Sequence, residues 1–429
     1  MPSADMEKYV VGSKILKKEH VLISIVIAIL LLAPSLPVRA SSPPKAVVSG
    51  LPSGGLATLA SDSLGNLYYA VYPNYPTQTT VNLYRLAAGS NTPKLIFTES
   101  DPTASLIYLG YLSFDLLGNV YFLAADVGQT NAAGSTVITA SAYRLNDLNH
   151  FSPTLLYSQT GTTGYFCGYF SGYGCMVSGT LLLELATDAW GNVAIAAATY
   201  CPTCVQAGGE LVYVPVLKGT PSVRASLDDV GLDQQTMAMN NRGDVFLDAF
   251  TGTAFPASGF EVMEVTPSGG IVYLVTNLPS FTSVATDPLG NLFILTRSYV
   301  GFVCDGETTS TTIMFEEFTW QSLLHPNPVG VQVSQVTYPE YIWMVQGEGS
   351  DQFRVSITDT VYYTLYPSTA EPETCGFTTA NVNLLSVRLG APQPTVVASG
   401  VNDFYTMGLF IGGLYYGSIN YGTIYLVRT

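Results

Sequence analysis

One short motif, written again and again, constrains this chain more than any other feature: Asp-x-x-Gly-Asn followed by an alternating apolar run. It reads "SDSLGNLYYAVY" from Ser61, "SFDLLGNVYFLA" from Ser113, "ATDAWGNVAIAA" from Ala186, "AMNNRGDVFLDA" from Ala238 and "ATDPLGNLFILT" from Ala285. Alternation has the period of a strand, so the runs on both sides of each motif predict β-strands, with the motif as a tight corner between them. Gly tolerates the positive φ of such a corner, and Asp accepts hydrogen bonds from the backbone amides that follow. Asp62, Gly65 and Asn66, Asp115, Gly118 and Asn119, Asp188, Gly191 and Asn192, and Asp287, Gly290 and Asn291 are therefore expected to be structural.

After each corner comes a second pattern, such as "VNLYRLAAGSNTPKLIFTE" from Val81 or "GFEVMEVTPSGGIVYLVTN" from Gly259. Each is a strand, a turn rich in Gly, Pro or Asn, and another strand, giving four antiparallel strands per unit. The first motif position falls at Asp62, Asp115, Asp188, Asn240 and Asp287, with degenerate copies at Ser356 and Leu409. In the last two, Asp359-Thr360 and Gly412-Gly413 fill the Gly-Asn slots. Seven such units predict an all-β chain folded as a seven-bladed β-propeller, because a closed ring protects sheet edges that an open stack exposes. The seventh unit stops one strand short at "GTIYLVRT", while "PPKAVVSGL" near the start has the pattern of an outer strand. The N-terminal strand is thus expected to complete the last blade and close the ring.

The corner resembles the turn of NHL-repeat propellers and of the wider group of six- to seven-bladed propellers that includes the gluconolactonase-like proteins. The likeness lies in turn chemistry and period across residues 41–429. The second Asp and the Asn-His-Leu-like run of NHL repeats are absent. As a resemblance it implies the propeller fold, and for the gluconolactonase-like group a divalent-metal lactonase site in the central channel.

The first forty residues have the layout of an export signal. Lys8, Lys14, Lys17 and Lys18 precede the apolar Val21–Leu32, and Val38-Arg39-Ala40 offers a small-residue cleavage site. About a dozen apolar residues fall short of the roughly twenty that span a bilayer, although retention as an anchor is the alternative. The expectation is a signal peptide at 1–40, a single domain at 41–429, a secreted or periplasmic location, and no membrane span after cleavage. Without those forty residues, which hold five of the 16 basic and three of the 31 acidic side chains, the net charge moves from −15 to −17. Nucleic acid is not an expected partner, since phosphate binding draws on clustered Lys and Arg.

Strand parity sorts the connections. Corners share one end of the ring with the turns between third and fourth strands, and the remaining loops and blade crossings share the other. All six cysteines fall at that second end, and in an exported chain their default state is disulfide. Cys304 with Cys375 would tie neighbouring loops, and Cys167 with Cys175 would close "CGYFSGYGC". Cys201 and Cys204 would pair locally or cross with Cys167 and Cys175, because no helix start lowers a thiol pKa at "CPTC". The same end gathers Tyr165, Phe166, Tyr169, Phe170 and Tyr173, together with Tyr338, Glu340, Tyr341 and Trp343. Aromatic rings beside carboxylates suit sugar stacking or protein contact. Packing among themselves is the alternative.

Enzyme signatures are sparse. Past the signal only His150 and His325 remain, both expected in turns at the corner end, and neither Gly-x-Ser-x-Gly nor a phosphate-binding loop occurs. No catalytic residue or cofactor is predicted. The expectation is a binding or scaffold protein that recognises a protein or carbohydrate at the cell surface. Two alternatives remain: a hydrolase or lactonase using a divalent cation such as Ca2+ in the channel, and a self-associating surface or filament subunit.

Overall fold

The computed structural model describes residues 44–428 except 130, 132–134, 147–150, 165–175, 179, 200–207, 217–218, 228–230, 252–258, 279–281, 301–309, 339–352, 357–359, 366–381, 389–390, 392–393, 402–403 and 419–421. These residues form seven antiparallel sheets and one 3-10 turn, Ser322–Leu324. Among them no helix is long and apolar enough to cross a membrane.

Within each sheet the strands follow chain order from the inside outward. The innermost strands are Leu56–Ser61, Leu106–Phe114, Thr180–Thr187, Gly231–Met239, Thr282–Thr286, Arg354–Val355 and Phe404–Phe410. Each packs on the innermost strand of the next blade, and Phe404–Phe410 packs on Leu56–Ser61, so the ring closes. The closing blade draws its outer strand from the other end of the chain. Lys45–Val48 pairs antiparallel with Thr423–Arg428, placing Lys45 opposite Leu426 and Val48 opposite Ile424. The chain is a seven-bladed β-propeller.

Two blades depart from the expected pattern. Blade two has a fifth strand: Met176–Ser178 pairs with the fourth strand Ser152–Gly164, whose thirteen residues outrun the outer strands of the other blades and whose outer edge at Thr162 and Thr163 receives it. In blade seven Phe410 lies opposite Gly413, so the corner contracts to a two-residue turn at Ile411–Gly412, with Gly412 at φ +95°. Without an Asp or Asn there is no side chain to hold the wider corner open.

A propeller strand is buried on both faces because each sheet is sandwiched between two others, and the sequence shows it. Leu67–Val71 is buried at every residue. Tyr68 faces blade two and packs with Phe122 and Leu145, while its neighbour Tyr69 faces blade seven and packs with Tyr415 and Ile424. Burying such side chains is worth about 1.5–3 kcal/mol each, so the inter-blade layers carry most of the stability.

Candidate functional site

The corners carry the most regular chemistry among the described residues. In blade one, Asp62 Oδ1 accepts the backbone N–H groups of Leu64 (3.0 Å) and Asn66 (2.9 Å). Its Oδ2 accepts from Asn66 Nδ2 (2.7 Å) and the Tyr68 hydroxyl (3.3 Å). Asn66 Oδ1 in turn accepts the N–H of Ala88, fastening the turn between third and fourth strands to the corner. Asp115, Asp188 and Asp287 repeat the Asp-to-Asn pattern. Each corner Gly sits in the left-handed region, with φ between +79° at Gly118 and +89° at Gly290. These carboxylates spend their lone pairs on the fold. Burial raises the Asp188 and Asp287 pKa values, opposed by the hydrogen bonds from Asn192 and Asn291.

Neighbouring corners are also bonded to one another. Leu116 N–H donates to the Ala189 carbonyl (3.0 Å), Ala189 N–H to Asn241 Oδ1 (3.1 Å), and Asn241 Nδ2 to the Pro288 carbonyl (3.1 Å). The Tyr415 hydroxyl donates to the Gly65 carbonyl (3.0 Å), joining blades seven and one. The corner end is therefore hydrogen-bonded from blade two through blade five and from blade seven to blade one.

Blade four writes the corner in reverse, with Asn240 first and Asp244 last. Asn240 Oδ1 accepts the N–H groups of Arg242 (3.0 Å) and Asp244 (3.1 Å), and Asn240 Nδ2 donates to Asp244 Oδ2 (2.8 Å). The moved charge acquires new neighbours: Arg242 forms an ion pair with Asp244 at 2.6 Å. Glu264 is buried beside them, and burial followed by the Asp244 carboxylate pushes its pKa up to about 7.

The third corner position is where the rim meets solvent. It carries Leu64, Leu117, Trp190 and Leu289, and Ile411 tips the short corner of blade seven. All five are large, apolar and exposed, from 48% at Trp190 to 75% at Leu64. Leu116, Trp320, Leu324 and Val329 add exposed apolar surface at this end. Basic residues collect here too. Arg85 and Lys94 face each other across blade one, Arg144 pairs with Tyr121, Arg388 with Thr360 and Arg428 with Gly413, all at the corner ends of their strands. Arg224 reaches the Gly243 carbonyl (2.7 Å), and Lys45 begins the closing strand. The motif itself held this signal: an apolar side chain stands at the third position in four of its five clear copies, with Arg242 in the fifth.

At the opposite end the described residues supply carboxylates. Burial and the charges of Asp126 and Asp101 raise the Glu99 pKa, and burial and Asp101 raise that of Asp126. The side-chain and backbone hydrogen bonds from Thr103 hold Asp101 low. Tyr338 ends the outer strand Val331–Tyr338 of blade five, at this loop end. Tyr165, Phe166, Tyr169, Phe170, Tyr173, Glu340, Tyr341, Trp343 and all six cysteines lie outside the described residues. Among the described residues no group of three or more His, Cys, Asp or Glu is placed to hold a metal ion.

No family model matches this chain, and no curated protein does. Solved structures do. The polysaccharide lyase Uly1 is 9% identical over 92% of this chain and 93% of its own, with a TM-score of 0.45. BamB from Moraxella catarrhalis is 10% identical over 90% of this chain and 100% of its own, with a TM-score of 0.40. A gluconolactonase-like β-propeller is 9% identical over 91% and 93%, with a TM-score of 0.36.

Proposed function

We propose that the chain is an exported binding and scaffold module that recognises a protein or glycan through the loop end of its ring. One observation carries this reading: the two longest connections between successive strands, 339–353 and 366–381, both leave that end. Connections of that length in a compact ring are usually functional, because a rigid scaffold lets loops diverge without cost to the fold. These segments and 165–175 contain most of the aromatic residues singled out above, and the carboxylates of Glu99, Asp101 and Asp126 share their end of the ring. Recognition would proceed without covalent chemistry. Loops held by a closed ring, and by disulfides among them, lose little conformational entropy on binding.

The test is a glycan array and a surface-protein pull-down with the exported chain, repeated with Tyr341→Ala and Trp343→Ala. The reading expects a captured ligand whose binding falls at least about tenfold in these variants, the loss of an aromatic hot spot. A stoichiometric divalent ion found by elemental mass spectrometry, together with chelator-sensitive lactone hydrolysis, would replace it with the channel-enzyme reading.

A further inference from the structure

From the corner end of the ring, we infer a second docking surface, one that seats the propeller on an anionic phospholipid bilayer. Leu64, Leu117, Trp190, Leu289 and Ile411 would enter the headgroup and upper acyl region, with the surrounding Lys and Arg at phosphate level. The apolar tips are the first ground. They protrude from five of the seven blades, with Arg242 at the same position in blade four, and the corners that carry them are hydrogen-bonded between several neighbouring blades. A protein partner would need a separate socket for each tip, whereas a fluid interface receives them all at once, as amphipathic surfaces rich in Leu and Trp do.

Charge is the second ground. The whole chain is acidic, yet the exposed cations Lys45, Lys94, Arg388 and Arg428 all lie at the corner end, with the half-buried Arg85, Arg144 and Arg224 behind them and Arg242 paired to Asp244. The acidic side chains there are largely withdrawn. Asp62, Asp115, Asp188 and Asp287 are buried in their corners, Asp244 is paired with Arg242, Glu264 is buried, and Glu316 and Glu317 are half-buried. The half-buried carboxylates Glu99, Asp101 and Asp126 of the loop end stand off by the length of a blade. Lys94 and Ser100 bound one outer strand of seven residues, roughly 20 Å at about 3.3 Å per residue. That exceeds the Debye length of about 8 Å at physiological salt, so an anionic surface meets the cations at close range and the carboxylates only through screening.

A second copy fits this end less well, since a two-fold pairing of corner ends would set one end bearing Lys94, Arg388 and Arg428 against another of the same charge.

The test uses the full chain with sonicated vesicles of phosphatidylcholine alone, or with about a third phosphatidylglycerol, in co-sedimentation at low and high salt. Partition is expected to favour the anionic vesicles and to fall with salt. Acyl-brominated lipid is expected to quench tryptophan fluorescence, with the quenched fraction reduced in Trp190→Phe. Leu64→Asp with Leu117→Asp, both at highly exposed positions, should weaken partition at least about tenfold, the loss of two inserted leucines, without lowering the melting temperature. Binding unchanged by those substitutions and without quenching would mean that residues 1–43 alone hold the chain to lipid, and would overturn the inference. So would equal binding to neutral vesicles, or a dimer that Leu64→Asp and Leu117→Asp dissociate, which would give the surface to a second copy.

Discussion

Blades one and four build the same corner from the same two side chains in opposite order. Asp62 and Asn66 form one, Asn240 and Asp244 the other, and in both the first residue's Oδ1 collects two backbone amides while an amide nitrogen donates to a carboxylate. The geometry asks for one acceptor pair and one donor across the corner. It is indifferent to which residue supplies the charge. What changes is the charge's company: at position one the carboxylate is spent on the fold, while at position five in blade four it gains Arg242 as a partner and Glu264 as a rival.

The largest expected effect comes from removing the shared element. Asp62→Ala strips the acceptor from two backbone amides, Asn66 and the Tyr68 hydroxyl at a buried site, and should destabilise by about 3–5 kcal/mol in chemical denaturation. A loss under about 1 kcal/mol would mean that the corner is held by its strands alone.

Next is the charge that blade four moved. The Glu264 pKa rises in the folded state from 4.5 to about 7, so folding takes up a proton and the sign is opposite to that of a salt-bridged carboxylate. Stability is full below about pH 4.5 and declines as pH rises through about 7, by up to about 3 kcal/mol. Glu264→Gln should flatten this slope in melts across pH 5–8 and leave the variant the more stable protein at pH 8. An unchanged slope would place the titration elsewhere.

A smaller contrast separates two glycines of like φ. A Cβ at Gly118 would meet nothing within 4 Å, whereas at Gly191 it would sit 2.6 Å from the Tyr121 hydroxyl and 2.8 Å from Asp115 Oδ2. Gly118→Ala should cost only the backbone term, about 1–2 kcal/mol, and Gly191→Ala about 2 kcal/mol more because its Cβ, reaching from blade three, also disturbs the hydrogen bond from Tyr121 to Asp115 within blade two. Equal losses would show that φ alone sets the requirement.

The regular parts of this molecule were legible because one physical demand recurs seven times. Asp, Gly and Asn at fixed spacing before an alternating run announce a corner and two strands, and the pattern of "PPKAVVSGL" announces the strand that closes the ring. The reversed corner of blade four was legible as a repeat, but the raised pKa of Glu264 depends on a third strand brought alongside by folding. The short turn at Ile411–Gly412 and the extra strand Met176–Ser178 escaped because they follow from missing side chains and surplus strand length, for which the motif has no letter. Leu64, Leu117, Trp190, Leu289 and Ile411 were visible as letters, yet their common direction toward solvent appears only once the corners are known to share one end of the ring. The loop end is the reverse case. Tyr165, Trp343 and the cysteines stand out by composition, while nothing periodic fixes where their side chains go.

The most direct test of the corner as an exchangeable unit is a double-mutant cycle at Asn240 and Asp244, followed by denaturant unfolding at pH 8. Asn240→Asp alone sets two carboxylates where an amide now donates at 2.8 Å, and should cost about 3 kcal/mol. Adding Asp244→Asn rebuilds the order found in blade one and should recover about two thirds of that loss. A double variant no more stable than Asn240→Asp would contradict the account, because the two positions would then be tied to their blade and the corner would be no common device.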